Sequence, residues 1–408
     1  MSFNGELFEI MSWLSVKTLH RLSIMTKTCK DFLSETYFIE RQCQNSCSKT
    51  EECLIIEEDS CLTTKVRKLQ FSFLSKPQSY NDIPKKSLKF LVKKGRILAS
   101  NNGLILGRIV NFKKATELFL CNPATRTWST IKLPNKELSR RYQTDGSLNI
   151  TLVCGNACNK ENIKFPLDYT LLMFTIHDIE DWNSGYDIFI LEAGSNWVLK
   201  HENVITSRSL NFDEQVFGID GLYILSNYGS CFTRDPFPHL FHYNVVRETS
   251  RIIRVPQDSD DQDNFDMNAC TFRIFGWERK IRDCVFESLC LVKCFVTMIK
   301  IWVLECNNKE NEKVSTWQWL INIDIVDILG IKEISSWTNS FIILGKNLIY
   351  ADIDGNVLQY CLEGENYGKL KVICKYEDSS SQRLRFNSYS TTLRPCIKDL
   401  IKPSRRIK

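Results

Sequence analysis

Histidine is scarce in this sequence, with five residues in 408. None of them stands in a nucleophile-elbow or zincin pattern, so neither a hydrolytic triad nor a metalloprotease helix can be read from the chain. Charge imbalance is also missing. Lys and Arg total 53 against 48 Asp and Glu, a formal net charge of +5, which marks out neither a dedicated nucleic-acid binder nor an acidic scaffold. No phosphate-cradling glycine loop occurs. The most apolar run, "CVFESLCLVKCFVTMIKIWVLE", is broken by Glu287, Lys293 and Lys300, whereas a spanning helix needs about 20 predominantly apolar residues. Alternating strands account for this run better than a membrane span. The opening "MSFNGELFEI" carries neither a basic n-region nor an apolar h-region. A soluble intracellular protein without a membrane partner is therefore expected.

Cysteine, by contrast, is plentiful, at 17 residues. In a reducing compartment these read as buried thiols, and an odd number leaves one unpaired in any complete disulfide set. Cys154 and Cys158 flank "GNA", and Cys43, Cys47, Cys53 and Cys61 cluster near the N-terminus, but none has the two-residue spacing of a zinc ribbon. The acidic run "DSDDQDNFD" lacks the glycine and the terminal glutamate of an EF-hand loop and reads as solvated. His239 and His242, three apart in "FPHLFHYN", read as surface or half-buried residues of a strand. The stretch "PKKSLKFLVKKGR" fits a solvated strand or helix face, with a nuclear import signal or a phosphate-contacting patch as its functional alternatives, and the tail "KPSRRIK" reads as disordered. No metal or cofactor is expected.

The first 40 residues are richer in apolar side chains than a small helical unit can use. Leu7, Ile10, Met11 and Leu14 fall at helical spacing. Ser15 is placed to cap a second helix carrying Val16, Leu19, Leu22 and Met25, and Thr26 to cap a third that turns Phe32 and Leu33 inward. "ETYFIERQ" then adds Tyr37, Phe38 and Ile39. A unit of about 40 residues is near the limit for an independent core, so the surplus needs either the rest of the chain or another protein to cover it.

Residues 44–66 turn polar and acidic and read as a linker or an irregular first strand. Beyond them come short strands punctuated by Gly, Asn, Asp and Pro. "LFLCNPATRTWSTIKLP" and "LFHYNVVRETSRIIRVP" follow one plan of strand, Asn-led turn, strand and closing proline. "YDIFILEAGSNWVLK", "STWQWLINIDI" and "IKIWVLE" supply further strands, and Asp354-Gly355 in "LIYADIDGNVLQYCL" is a two-residue hairpin signal. "NNGLILG", "IDGLYIL", "FESLCLV" and "GKNLIYA" look like inner strands of successive units. The spacing from Trp128 to Trp197 and on to Trp317 suggests radially repeated four-stranded sheets, a β-propeller.

"ELFEIMSWLSVKTLHRLSIMTKTCKDFLSETYFIERQ" resembles an F-box, the helical module of substrate receptors in Skp–cullin–F-box ubiquitin ligases. The match falls at Leu7, Glu9, Ile10, Leu14, Val16, Lys17, Leu19, Lys27, Leu33, Tyr37 and Phe38. Phe3 and Asn4 stand where the family has Leu-Pro, Ser15 where it has a second proline, and Cys29 where it has a tryptophan. "NNGLILG" followed by "CNPATRTW" is similar to the F-box-associated, kelch-like domain of a large plant family. The resemblance implies an α+β multidomain chain: a three-helix F-box over 1–43, a linker over 44–66, an all-β propeller-like domain over 67–395 and a basic tail over 396–408. It implies a non-catalytic subunit, cytoplasmic or nuclear. The subunit docks a Skp-type adaptor, and through it a cullin, by way of Leu7, Ile10, Leu14, Val16, Leu19, Leu22, Met25 and Lys27. A target protein, not nucleic acid, is expected on the β domain. The alternatives are a binding module without ligase docking and a propeller-fold hydrolase with carboxylates or a metal at its channel mouth.

Overall fold

The computed structural model describes residues 3–47, 53–59, 69–73, 95–109, 117–133, 149–154, 169–178, 184–218, 221–227, 237–256, 270–281, 284–295, 298–309, 312–324, 341–351, 356–375 and 383–396. All but the last two residues of "PKKSLKFLVKKGR", the whole of "DSDDQDNFD", Cys61, Cys158 and the Asp354-Gly355 turn lie outside these residues. So does the tail beyond 396. A few N-terminal helices lead into an all-β propeller whose blades are five four-stranded antiparallel sheets.

Four helices open the chain: α1 (Phe3–Ser12), α2 (Val16–Met25), α3 (Lys27–Phe32) and α4 (Thr36–Cys47). Both expected caps form. The Ser15 hydroxyl accepts from the Thr18 amide at 3.2 Å, and the Thr26 hydroxyl accepts from the Cys29 amide at 3.3 Å. Each satisfies an amide that the first helical turn leaves unpaired. The F-box resemblance implies three helices over 1–43. "ETYFIERQ" instead belongs to a fourth helix, which runs on to Cys47.

Of the two readings of residues 44–66, a linker or an irregular first strand, the described residues show the strand: β1 (Cys53–Asp59), with Leu54, Ile55 and Ile56 fully buried. Its three consecutive apolar residues do not alternate, which is why it does not read as a half-exposed strand. It pairs with β2 (Leu69–Phe73) on one side and with β23 (Arg383–Tyr389) on the other. The first blade follows in simple order: β3 (Gly95–Asn101), β4 (Leu104–Ile109), β5 (Glu117–Asn122) and β6 (Thr127–Ile131). The other blades are β7 (Ile150–Cys154), β8 (Tyr169–Asp178), β9 (Ser184–Glu192) and β10 (Val198–Thr206); β11 (Leu210–Gly218), β12 (Gly221–Ser226), β13 (His239–Asn244) and β14 (Thr249–Arg254); β15 (Cys270–Ile281), β16 (Cys284–Phe295), β17 (Met298–Lys309) and β18 (Glu312–Asp324); and β19 (Phe341–Leu344), β20 (Asn347–Ala351), β21 (Asn356–Cys361) and β22 (Leu370–Lys375). The runs read as inner strands are β4, β12, β16 and β20, the second strand of their blades. The run screened as a membrane span is the β16–β17 pair, and no described helix is long and apolar enough to cross a membrane.

The chain divides into two compact units. The first comprises residues 1–173, 189–198 and 385–408, and the second 174–188 and 199–384. In the first, Leu104, Leu106, Leu118, Leu120, Ile150, Leu152, Leu171 and Met173 form one apolar core. In the second, Leu225, Leu240, Phe272, Ile274, Leu291, Trp302 and Leu304 form another.

The sequence repeat has a physical basis. In the β5–β6 turn, Asn122 Oδ1 accepts from the Ala124 amide at 2.9 Å; in the β13–β14 turn, Asn244 Oδ1 accepts from the Val246 and Arg247 amides at 3.0 and 2.8 Å. Four residues on from each Asn, Arg126 and Glu248 take positive φ, 57° and 53°. Both loops are Asx turns that end in a left-handed residue, and each opens onto the same pairing, Asn122 with Thr127 and Asn244 with Thr249. Asn102-Gly103 forms a two-residue hairpin turn with φ of 42° and 81°, the primed geometry that Asn-Gly favours. The tryptophans also repeat their role. Trp197 Nε1 donates to the Lys132 carbonyl at 2.8 Å within the first unit, and Trp317 Nε1 donates to the Arg254 carbonyl at 2.7 Å within the second. Each indole binds the end of another sheet's outermost strand.

Candidate functional site

Among the described residues, the helical module is where large apolar side chains concentrate at the surface. Apart from Tyr37, which stacks on Phe8, they take no part in its interior. Phe8 meets Phe38 edge-on at 5.1 Å and Phe32 edge-on at 5.5 Å, and stacks on Tyr37 at 5.4 Å between centroids. Met11, Val16, Leu19, Cys29 and Phe38 close the core together with Ala124 and Leu393 from the β domain. Cys29 packs its sulfur 3.6 Å from that of Met11.

Polar contacts fix α1 against α4. Arg41 donates to both Glu9 oxygens, Nη2 to Oε1 at 2.9 Å and Nε to Oε2 at 3.2 Å, and Trp13 Nε1 also donates to Oε1. The Arg41 hydrogen bonds hold the Glu9 carboxyl below its usual range. Deeper in, Asn45 Nδ2 donates to the Ser12 hydroxyl at 2.7 Å. His20 on α2 keeps an exposed surface, yet its proton affinity is lowered, first by partial desolvation from the packing around it and then by the nearby Arg126 guanidinium on the β5–β6 turn.

What remains outside is apolar. Ile24 is 86% exposed, Met25 77%, Tyr37 68%, Ile10 63% and Trp13 44%. Of the expected docking residues, Ile10 and Met25 are therefore open, Lys27 is exposed, and Leu7, Leu14 and Leu22 are half-buried against the module's core. Val16 and Leu19 are buried and closed to a partner, because the inward face of α2 packs against α1, α3 and α4. Trp13, Ile24 and Tyr37 were missing from the expected set. At helical spacing they read as ordinary members of an apolar stripe, and only tertiary packing distinguishes the inward face from the outward one.

A second polar centre sits on the first strands of three blades in the second unit. Arg273 Nε donates to Glu214 Oε1 at 2.8 Å, and Nη1 donates to the Phe341 carbonyl. The guanidinium lies over the Phe275 and Phe341 rings, 5.2 and 5.1 Å from their centroids. Both charged side chains are 8% exposed. No sequence pattern announces this pair, since its partners lie 59 residues apart. His239 and His242 are not surface residues: both are buried on β13, and His242 Nδ1 accepts from Arg251 Nε at 3.1 Å. Among the described residues, no group of three or more His, Cys, Asp or Glu side chains could hold a metal ion.

No protein-family model and no curated protein sequence matches the chain. Solved structures similar to it include a mutant of AofleA from Arthrobotrys oligospora, with a TM-score of 0.38, 10% identity and coverage of 72% of this chain and 78% of that one. They also include a mutant of the Aleuria aurantia lectin in complex with Fucα1-6GlcNAc, with a TM-score of 0.40, 9% identity and coverage of 81% and 96%. Neither carries an argument about what this chain binds.

Proposed function

We propose that this protein is a non-catalytic recognition subunit. Its N-terminal helices dock a Skp-type adaptor, and through it a cullin, while the β-propeller holds a target protein. On this reading it works inside the cell, in cytoplasm or nucleus, and its contribution to ubiquitin transfer is proximity. One observation carries the proposal: the core of the helical module is already closed, with Ala124 and Leu393 of the β domain completing it, and Ile10, Trp13, Ile24, Met25 and Tyr37 still face water. A cap evolved only to cover the β domain would turn such side chains inward or replace them with polar ones. The F-box resemblance of residues 6–42 names the partner.

Co-purification tests this reading. Wild-type chain is expected to retain a Skp-type adaptor, and a chain carrying Ile10→Asp and Ile24→Asp is expected to lose it. Both positions are exposed, so the double variant keeps its fold, as far-ultraviolet circular dichroism would verify. Leu19→Asp is unsuitable, because Leu19 is fully buried and its loss would unfold the module. Equal retention by wild type and variant would overturn the docking face, and no capture by wild type would overturn the adaptor reading.

A further inference from the structure

The last described residues of the chain, Thr391–Cys396, have no regular structure and yet are mostly buried. They run between α4 and the first blade and are bonded on both sides. From the helical side, the Leu393 amide donates to Gln42 Oε1 at 3.0 Å. The Cys43 thiol lies against Thr392 and the Leu393–Arg394 backbone. From the blade, Asn122 Nδ2 donates to the Thr392 carbonyl at 2.9 Å and to the Arg394 carbonyl at 2.8 Å. Thr392 Oγ1 donates to the Asn102 carbonyl at 3.1 Å, and the Cys396 sulfur sits 3.4 Å from the Thr127 carbonyl. Asn122 Oδ1 accepts from the Tyr389 hydroxyl at 3.0 Å, which anchors the segment's entry. The fit leaves no slack: a Cβ at Gly103 would fall 1.9 Å from Thr392 Oγ1.

The side chains follow the same pattern. Leu393 enters the core of the helical module, and among the described residues the β domain's only other contribution to that cluster is Ala124. The segment therefore supplies both a backbone bridge and an apolar wall. Its bonds join residues about 270 to 350 positions apart in sequence, so it can close only when the first blade and the helices are both formed.

We propose that Thr391–Cys396 is a latch that fastens the helical module to the first blade, so that the C-terminal end of the chain governs how the N-terminal helices are presented. The latch stands on this geometry alone. Its consequence, that a docked adaptor is held at a fixed attitude to the first blade, rests on the adaptor reading above.

Hydrogen–deuterium exchange on the full chain, without any partner, tests the latch. Thr392→Val is nearly isosteric and deletes the hydroxyl bond to Asn102. Gln42→Met deletes the acceptor for Leu393. In the double variant, amides of α2 and α4 are expected to exchange at least tenfold faster, while those of β12 and β13 keep wild-type rates. Unchanged exchange in the helices would overturn the latch. Equal acceleration in helices and blades would also overturn it, because the segment would then be part of the global core and not a local fastening. Leu393→Ala gives an independent reading through the apolar wall, with the same two outcomes. Adaptor capture by the same variants is scored separately, so failure of docking and failure of the latch remain distinguishable.

Discussion

Two asparagines with the same sequence role are expected to differ several-fold in what they contribute to stability. Asn122 and Asn244 both close Asx turns at the ends of third strands. Asn244 is half-buried and its side chain bonds two amides of its own loop. Water can reach those amides in an Asn244→Ala chain, so the loss is about 1 kcal/mol, the net worth of an ordinary hydrogen bond. Asn122 is fully buried, and its amide bonds two carbonyls of the C-terminal segment, the Ala124 amide and the Tyr389 hydroxyl. Truncation to alanine removes four hydrogen bonds to buried groups, at about 1–3 kcal/mol each. Relaxation recovers part of this, so a cost of about 4 kcal/mol or more is expected. Urea unfolding followed by tryptophan fluorescence measures both variants against wild type. Equal midpoint shifts for Asn122→Ala and Asn244→Ala would refute the argument that satisfying the C-terminal segment, and not turn formation, is the main work of Asn122.

Other consequences are open to measurement. Trp197→Phe and Trp317→Phe each delete one indole-to-carbonyl bond, and each is expected to cost about 0.5–1.5 kcal/mol in the same unfolding assay; a neutral pair would mean that the indoles act by packing alone. Glu214→Gln removes the carboxylate that pairs with the buried Arg273 cation and is expected to cost about 3–5 kcal/mol, whereas Glu214→Leu combined with Arg273→Met is expected to recover most of the loss. A double variant as unstable as the single one would contradict this. Burial pushes the Cys43 and Cys154 thiols up to about 11 and those of Cys294 and Cys396 up to about 12. Alkylation of the native chain at pH 8, mapped by mass spectrometry, is expected to reach the part-exposed Cys361 and Cys374 well before these four; rapid labelling of Cys43 would contradict the packing of α4. The Glu9 carboxyl is held low by Arg41, so its tie between α1 and α4 is present above the unfolded carboxylate value of about 4.5 and is lost as pH falls through the lower folded value. Arg41→Met should therefore destabilise α1 at pH 7, by less than about 1 kcal/mol for a pair this exposed, and the difference from wild type should vanish near pH 3.

Local chemistry was legible in the sequence, and long-range closure was not. Ser15 and Thr26 could be read as caps because capping depends on residues three positions away. The two Asn-led turns and the strands around them could be read for the same reason. The fate of Val16 and Leu19 could not, since the same helical stripe serves equally well for an internal core or for a partner. Strand β1 was only half legible: an acidic stretch reads equally as a linker or an irregular strand until the Ile97 amide that its buried Glu57 accepts from is known. The C-terminal segment gave no signal at all. Its burial depends on Gln42 and Asn122, hundreds of residues away, and Cys396, which the domain reading places in the basic tail, is 1% exposed. The Glu214–Arg273 pair was silent for the same reason.

The central claim is that the apolar side chains left outside the helical core are a docking face. Titrating a purified Skp-type adaptor into the full chain by isothermal calorimetry tests it most directly. The account predicts saturable binding at micromolar or tighter affinity, weakened at least tenfold by Ile24→Asp. Absence of binding to the folded wild-type chain, or binding that Ile10→Asp and Ile24→Asp together leave unchanged, would contradict it.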